Sequence, residues 1–168
     1  MSYKWYYEVG DYPAGISGNG YVFLVRSGFK DFAIYNISEG RILNTFSENC
    51  GYNSGGSSIS VGSYVYQIRG NNMMRIDPLT QKYIYLANLP WSVSNYFSMN
   101  GLTTNTTHIF AIRGANTQDF AVYSISSNVW ITLSPTPAPM GQGASLTYNG
   151  TYIFALRGGG TKDFYMYN

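Results

Sequence analysis

The sequence predicts an all-β protein with the architecture of a four-bladed β-propeller, and three observations lead to this fold class. A short strand pattern recurs four times at intervals of 43 or 44 residues. Aromatic residues make up 17% of the chain and charged residues only 11%, where soluble domains carry about 25% charged residues. No segment has the apolar spacing of an amphipathic helix. Four short strands in a repeat of about 40–50 residues are typical of propeller blades.

Each repeat is expected to supply four strands, recognised by alternating aromatic and β-branched residues. The first recognisable strand of each repeat ends in an arginine, in the segments Tyr21–Arg26, Tyr64–Arg69, His108–Arg113 and Tyr152–Arg157. The next strands are Asp31–Asn36, Met73–Asp77, Asp119–Ser124 and Asp163–Asn168. Outer strands then begin at Arg41, Lys82 and Val129. Small inner strands, suited to the crowded axis of a propeller, are predicted at Pro13–Ser17, Ser57–Val61, Phe97–Asn100 and Ala144–Tyr148.

These strands predict a single domain over residues 1–168 whose last blade is split between the two termini. The blades are expected at about 13–46, 57–87, 97–133, and 143–168 plus 3–9. The segment Lys4–Val9 matches the outer strand Val129–Leu133, whereas the last repeat stops before an outer strand. Two closures are open. The N-terminal strand completes the blade within its own chain, or it completes the blade of another subunit, which gives an eight-bladed dimer or a filament.

Two segments carry a strand, a glycine-containing turn, an Asp-Phe element and a later aromatic residue: Ile112–Trp130 and Tyr152–Tyr167. Ile76–Tyr83 follows an Asp-Pro-x-Thr-x-x-Trp element, with Tyr in place of Trp. These repeats resemble kelch repeats of the microbial kelch-like type. Arg-Gly stands where that family has a glycine doublet, and at Arg26 the glycine is lost as well. The resemblance implies a propeller, but it specifies function weakly, because kelch propellers serve in binding, scaffolding and a few enzymes.

Composition excludes several function classes. A net charge of +2 is too small for a nucleic-acid-binding surface. The chain has one cysteine, Cys50, and one histidine, His108, so it holds no internal disulfide and no multi-histidine metal site. The same count rules out the His, Tyr and modified-Cys site that resemblance to the kelch-related copper oxidases would imply. No nucleophile–base pair or pair of catalytic carboxylates stands out, so we expect neither an enzyme nor a cofactor.

The cellular compartment stays open at the level of sequence. No signal peptide is visible at the N-terminus and no apolar run is long enough to span a membrane. A surface rich in Asn, Ser, Thr and Tyr nevertheless indicates a cell surface, an extracellular location or a virion. Three N-x-S/T triplets, at Asn36, Asn105 and Asn149, leave glycosylation as an open alternative.

Charged residues recur at two fixed positions of the repeat. Arginines occupy one position and aspartates another five or six residues later: Arg26, Arg69, Arg113 and Arg157, with Asp31, Asp119 and Asp163. One interpretation is a structural Arg–carboxylate pair in each turn. The other is a ring of arginines that attracts an anion at one mouth of the channel. The second repeat has Asn72 at the aspartate position, so Arg69 is the arginine predicted to be free for a ligand.

Aromatic residues in one connecting loop are the remaining ligand-binding candidates. Trp91 and Tyr96 lie between an outer and an inner strand, next to Pro90. Exposed loop aromatics suit sugar stacking or a protein contact, and the alternative is packing over the blade. The sequence therefore predicts a non-catalytic protein-interaction or structural assembly module. A lectin-like, glycan-binding propeller is the alternative, and Arg69, Trp91 and Tyr96 are the candidate ligand-binding residues for either function.

Overall fold

The structure is a computed structural model that describes residues 14–18, 20–25, 31–47, 56–91 and 101–168. The fold is all-β, as the sequence predicts: within the described residues fifteen strands form four antiparallel sheets, and no helix occurs there. Within these same ranges no segment forms a helix of the length and hydropathy that a membrane crossing needs.

Each of the first two sheets has four strands that pair in chain order. The strands of the first sheet are β1 Ala14–Gly18, β2 Tyr21–Val25, β3 Asp31–Asn36 and β4 Arg41–Ser47. Those of the second sheet are β5 Gly56–Val61, β6 Tyr64–Arg69, β7 Asn72–Asp77 and β8 Lys82–Tyr85.

The third sheet repeats this pattern, and the fourth contains one described strand fewer. The strands of the third sheet are β9 Gly101–Thr104, β10 His108–Ile112, β11 Phe120–Ser124 and β12 Val129–Thr132. Those of the fourth sheet are β13 Ser145–Tyr148, β14 Ile153–Leu156 and β15 Phe164–Tyr167. The segment 3–9, predicted to complete the fourth sheet, lies outside the described residues.

The described inner strand of the third sheet is Gly101–Thr104, which pairs with β10. Phe97–Asn100, the segment predicted for this strand, lies outside the described residues. A tight hairpin decides this register. The Oδ1 atom of Asn105 accepts hydrogen bonds from the amides of Thr107 and His108, so the inner strand must end immediately before Asn105.

The innermost strands of successive sheets lie side by side in the order β1, β5, β9 and β13. Close approach explains their small residues: a Cβ atom on Gly101 would lie 2.9 Å from the backbone nitrogen of Leu146. Among the described residues, β13 and β1 do not pack side by side as these successive strands do. The described sheets therefore form an arc that lacks a comparable contact between the fourth sheet and the first.

The core lies between successive sheets, in three apolar clusters. The first cluster joins Phe23 and Ile34 of the first sheet to the face of the second sheet that carries Met74. The second cluster joins the opposite face of the second sheet to the third, and it is the largest. The third cluster joins Ile112 and Phe120 to the fourth sheet. The second and third sheets thus use one face for the preceding sheet and the other face for the following one, because side chains alternate along a strand.

Candidate functional site

Two of the repeated arginines form ion pairs with the repeated aspartates. The Nη1 atom of Arg113 donates to the Oδ2 atom of Asp119 at 2.9 Å, and Arg157 donates in the same way to Asp163 at 2.7 Å. Each pair spans the turn between the two middle strands of its sheet. These ion pairs agree with the interpretation in which an arginine and a carboxylate form a structural pair in each turn. In both loops the aspartate carboxylate compensates the positive charge of the arginine.

The two loops share a backbone arrangement that holds each pair in place. In one, the amide and the hydroxyl of Thr117 both donate to the carbonyl of Gly114; in the other, Thr161 donates in the same way to Gly158. The amides of the two arginines also donate to the carbonyls of their aspartates. The recurring sequence Arg-Gly-x-x-Thr-x-Asp therefore specifies one loop structure used twice.

Electrostatics at the second loop follow from this geometry. The hydrogen bond to Asp163 raises the pKa of Arg157 above the ordinary value for arginine. The Nε atom of Arg157 also donates to the carbonyl of Pro139 at 3.0 Å. Arg157 therefore ties its loop to the segment that leads into β13, and its side chain has a structural role.

The remaining charged residues of the repeat, Arg26, Asp31 and Arg69, lie only partly within the described residues. Arg26 lies outside the described residues. Asp31 begins β3, and Arg69 ends β6 where its backbone pairs with Gly56 and Asn72; the side chains of Asp31 and Arg69 lie outside the description. The prediction that Arg69 is free for a ligand therefore stays a prediction.

Trp91 lies in the core between the second and third sheets, not on an exposed loop. Only 9% of its surface is exposed, and its ring lies 6.5 Å from that of Trp130. This burial agrees with the second interpretation of Trp91, in which its ring packs against the sheets. A ring buried in this way has no exposed face on which a sugar could stack. Tyr96, its predicted companion, lies outside the described residues.

Trp130 joins the third sheet to the second through a polar contact as well as through packing. Its indole Nε1 donates to the carbonyl of Ala87 at 3.1 Å. In the same hairpin, Asn128 accepts a hydrogen bond from the amide of Ala87 at 2.8 Å and one from the hydroxyl of Tyr123 at 2.9 Å. Ala87 follows β8, the outer strand of the second sheet. The β11–β12 hairpin of the third sheet therefore holds this segment through two hydrogen bonds.

An apolar cavity of about 150 Å³ lies between the third and fourth sheets. One wall is the segment 134–137, which follows β12, and the other includes Ile153 of β14 and Tyr167 of β15. The ring of Tyr167 meets that of Phe120 edge to face at 5.0 Å.

The fourth sheet exposes apolar side chains on the face turned away from the third sheet. Leu156 is 52% exposed, Phe164 59% and Met166 61%. The ring of Phe154 stacks on that of Phe164 at 5.4 Å and 12°. Sequence reasoning missed this surface, although the alternation of apolar residues on both faces of the last repeat is a signal for it.

Groups that would mark a metal centre do not come together in the part of the chain that the structure describes. No three side chains among His, Cys, Asp and Glu approach one another there. The hydroxyl of Thr107 lies 2.9 Å from Nδ1 of His108 at the surface of a hairpin. Among the three glycosylation triplets, Asn36 is 7% exposed and its side chain is used in a turn with Ser38 and Glu39.

No protein family matches the sequence, and no curated protein matches it either. Solved structures that are similar to this fold include a designed protein and YjhT. The computationally designed Ika4 protein has a TM-score of 0.70 at 10% identity, covering 99% of this chain and 98% of that one. YjhT has a TM-score of 0.70 at 12% identity, covering 87% of this chain and 58% of that one. At these identities the similarity shows the fold alone.

Proposed function

We propose that this protein is a non-catalytic association module, a kelch-like propeller assembly in which the fourth sheet of one copy joins the first sheet of a second copy. The exposed apolar face of the fourth sheet is the observation that supports this function. Apolar surfaces of this kind on a soluble protein mark interaction sites.

The repeat itself supports an interface at this face. Leu156 holds the position that Ile112 holds in the third sheet, and Phe164 that of Phe120. Ile112 is 0% exposed and Phe120 4%, because the fourth sheet covers them. Fully burying a side chain of this size stabilises by about 1.5–3 kcal/mol, so covering the equivalent face of the fourth sheet is favourable.

The partner best matched to this face is the first sheet of a second copy. Wherever two sheets of the described arc pack together, the covering sheet belongs to the same kind of repeat and has the same strand order. The first sheet is at the other end of the arc, where no preceding sheet of the described chain lies beside it. Two copies joined head to tail at both ends close a ring, which satisfies both ends and stops further growth.

Solution mass tests the proposal, by light scattering during size-exclusion chromatography over a concentration series. We expect a dimer of twice the 18.7 kDa chain mass. The double variant Phe164→Ser, Met166→Ser should raise the dissociation constant of that dimer at least about tenfold. Ile131→Ser is the matched control, since Ile131 is 54% exposed on the outer strand of the third sheet.

Two results would overturn the proposal. One is a wild-type protein that has the chain mass at every concentration. The other is a double variant that dimerises as tightly as the wild type and the Ile131→Ser control. Circular dichroism of all three proteins establishes that the substitutions leave the sheets folded.

A further inference from the structure

The cavity between the third and fourth sheets has the lining of a site that a tryptophan fills elsewhere in the molecule. Trp130 packs into the cluster between the second and third sheets, where its ring lies 5.3 Å from that of Tyr123. Tyr123 is also its partner in the strand register. One repeat later, Tyr167 holds the position of Tyr123 and lines the cavity.

Three other residues of the cavity wall also have an equivalent near Trp130, one repeat earlier. The strand registers of successive sheets give the pairs, with the residue near Trp130 named first: Ile68 and Ile112, Ile109 and Ile153, Ala111 and Ala155. The first member of each pair belongs to the cluster around Trp130, and the second lines the cavity.

The backbone that closes the outer side is also equivalent. The amide of Leu86 donates to the carbonyl of Met73 at 2.8 Å, and that of Leu133 donates to Phe120 at 2.9 Å. Both hydrogen bonds hold the segment that follows an outer strand against the neighbouring strand of the same sheet. The residue after Leu86 and the residue after Leu133 therefore occupy equivalent positions in the second and third sheets.

That residue is Ala87 after the second sheet and Ser134 after the third. The carbonyl of Ala87 accepts the indole hydrogen bond of Trp130, and Ser134 lines the cavity. An apolar cavity of about 150 Å³ is large enough for benzene in other proteins. The cavity thus offers an apolar space for an aromatic ring, with a backbone acceptor at the place where an indole N–H would arrive.

We infer that this cavity is a socket for a tryptophan side chain, and that the occupant is Trp5 of a second copy of the chain. In this proposal the segment Lys4–Val9 of the second copy adds to β15 as the fourth strand of its sheet, which would place Trp5 opposite Tyr167 as Trp130 lies opposite Tyr123. This inference rests on the proposed function, and it names the segment through which the two copies hold one another.

The open arc favours a second copy over the same chain. Only residues 10–13 separate Lys4–Val9 from β1, so this segment must remain close to the first sheet of its own chain. In the described residues, the first sheet and the fourth do not pack side by side as successive sheets do. When the first sheet of a second copy covers the fourth sheet, its N-terminal segment arrives at the edge of β15.

A mixing experiment with two full-length variants tests the inference. Trp5→Ala removes the tryptophan side chain, here called the plug, and leaves the cavity, or socket, unchanged. Ala155→Leu keeps the plug and fills the socket. Leucine already occupies the equivalent position 24 in the first sheet. We expect each variant alone to dimerise about 100-fold more weakly than wild type. An equimolar mixture should recover dimers, because one plug and one socket remain intact in the mixed pair.

The control for the plug is Tyr6→Ala. In the proposed strand Tyr6 has the position of Ile131, which is largely exposed on β12, so its loss should leave the dissociation constant within about twofold of wild type. Circular dichroism establishes that the variants are folded before they are mixed.

The outcomes separate this inference from the proposed function. A wild-type dimer together with a Trp5→Ala variant that dimerises equally well overturns the socket alone. Weak dimers of both variants with no recovery on mixing overturn the second copy as the source of the plug. A wild-type protein that is monomeric throughout overturns the proposed function, and the inference with it.

Discussion

The indole of Trp130 donates a hydrogen bond to the carbonyl of Ala87, 43 residues earlier in the chain, at 3.1 Å. This bond joins the outer strand of the third sheet to the segment that follows the outer strand of the second sheet. Asn128 completes the contact by accepting from the amide of Ala87. The third sheet thus provides a hydrogen-bond partner for both the amide and the carbonyl of Ala87.

Gln67 is a site where replacement should stabilise the protein. It is 0% exposed, and neither its Nε2 nor its Oε1 atom has a hydrogen-bond partner. Each unsatisfied buried polar group costs about 1–3 kcal/mol. Gln67→Leu keeps the size of the side chain and removes both groups, so it should raise the free energy of unfolding by about 1–3 kcal/mol.

Urea denaturation measures this change. Gln67→Ala is the matched control, because it removes the same polar atoms but leaves a cavity, and it should gain less than the leucine variant. A leucine variant less stable than wild type would show that the amide has a stabilising partner in solution.

The ion pair of Arg113 should contribute to stability whereas Arg69 should not. Arg113 pairs with Asp119, and its side chain is 26% exposed, so Arg113→Ala is expected to cost about 1 kcal/mol. In a chain of this size that lowers the midpoint of thermal unfolding by about 2–4 °C. Arg69→Ala should leave the midpoint nearly unchanged, because Asn72 replaces the aspartate. Equal losses in the two melting curves would contradict this distinction.

Stability should fall at alkaline pH through Tyr123. Burial, followed by the nearby Tyr66, raises the pKa of Tyr123 from 10.0 to about 12. Its neutral form is therefore favoured in the folded state. This contribution is fully present below about pH 10, the ordinary pKa of tyrosine, and is lost as the pH rises to about 12.

Urea denaturation at a series of pH values from 9 to about 12 measures the effect. The variant Tyr123→Phe should be less stable than wild type at pH 9, since it loses the hydrogen bond to Asn128. Its free energy of unfolding should also fall less steeply above about pH 10. Parallel curves for the two proteins would contradict the raised pKa.

Gly158 should be intolerant of a side chain for two reasons. Its φ of +70° disfavours L-residues, and a Cβ atom would lie 2.5 Å from the backbone nitrogen of Ala144. Gly143 is the matched control: its φ is +80°, but a Cβ there meets nothing within 4 Å. We expect Gly143→Ala to cost about 1–2 kcal/mol from backbone strain, and Gly158→Ala to cost clearly more. Equal losses on denaturation would show that the close approach relaxes without penalty.

Local pattern was sufficient to predict most strands. Alternating residues and turn-forming Asn, Asp and Gly residues identified the middle strands of every sheet, because these signals act within a few residues. The described inner strand of the third sheet, Gly101–Thr104, was not predicted. Its register depends on one hairpin, in which Asn105 accepts two backbone hydrogen bonds, and composition alone does not locate such a turn.

The candidate site depended more on tertiary contacts. Sequence reasoning grouped Arg113 with Asp119 correctly, because the two lie on adjacent strands of one hairpin. It offered Trp91 as an exposed ligand-binding residue or a packed one. Only the approach of the second and third sheets decides between these, since burial depends on what a neighbouring sheet places against the ring.

The sequence by itself determined an all-β repeat of short antiparallel strands, because periodicity and turn chemistry are local properties. Tertiary structure decided how the repeats meet: that the arc is open beside the fourth sheet, that Leu156 and Phe164 face solvent, and that Tyr167 lines a cavity. These features depend on the distance and orientation between whole sheets, which the packing of many side chains sets together.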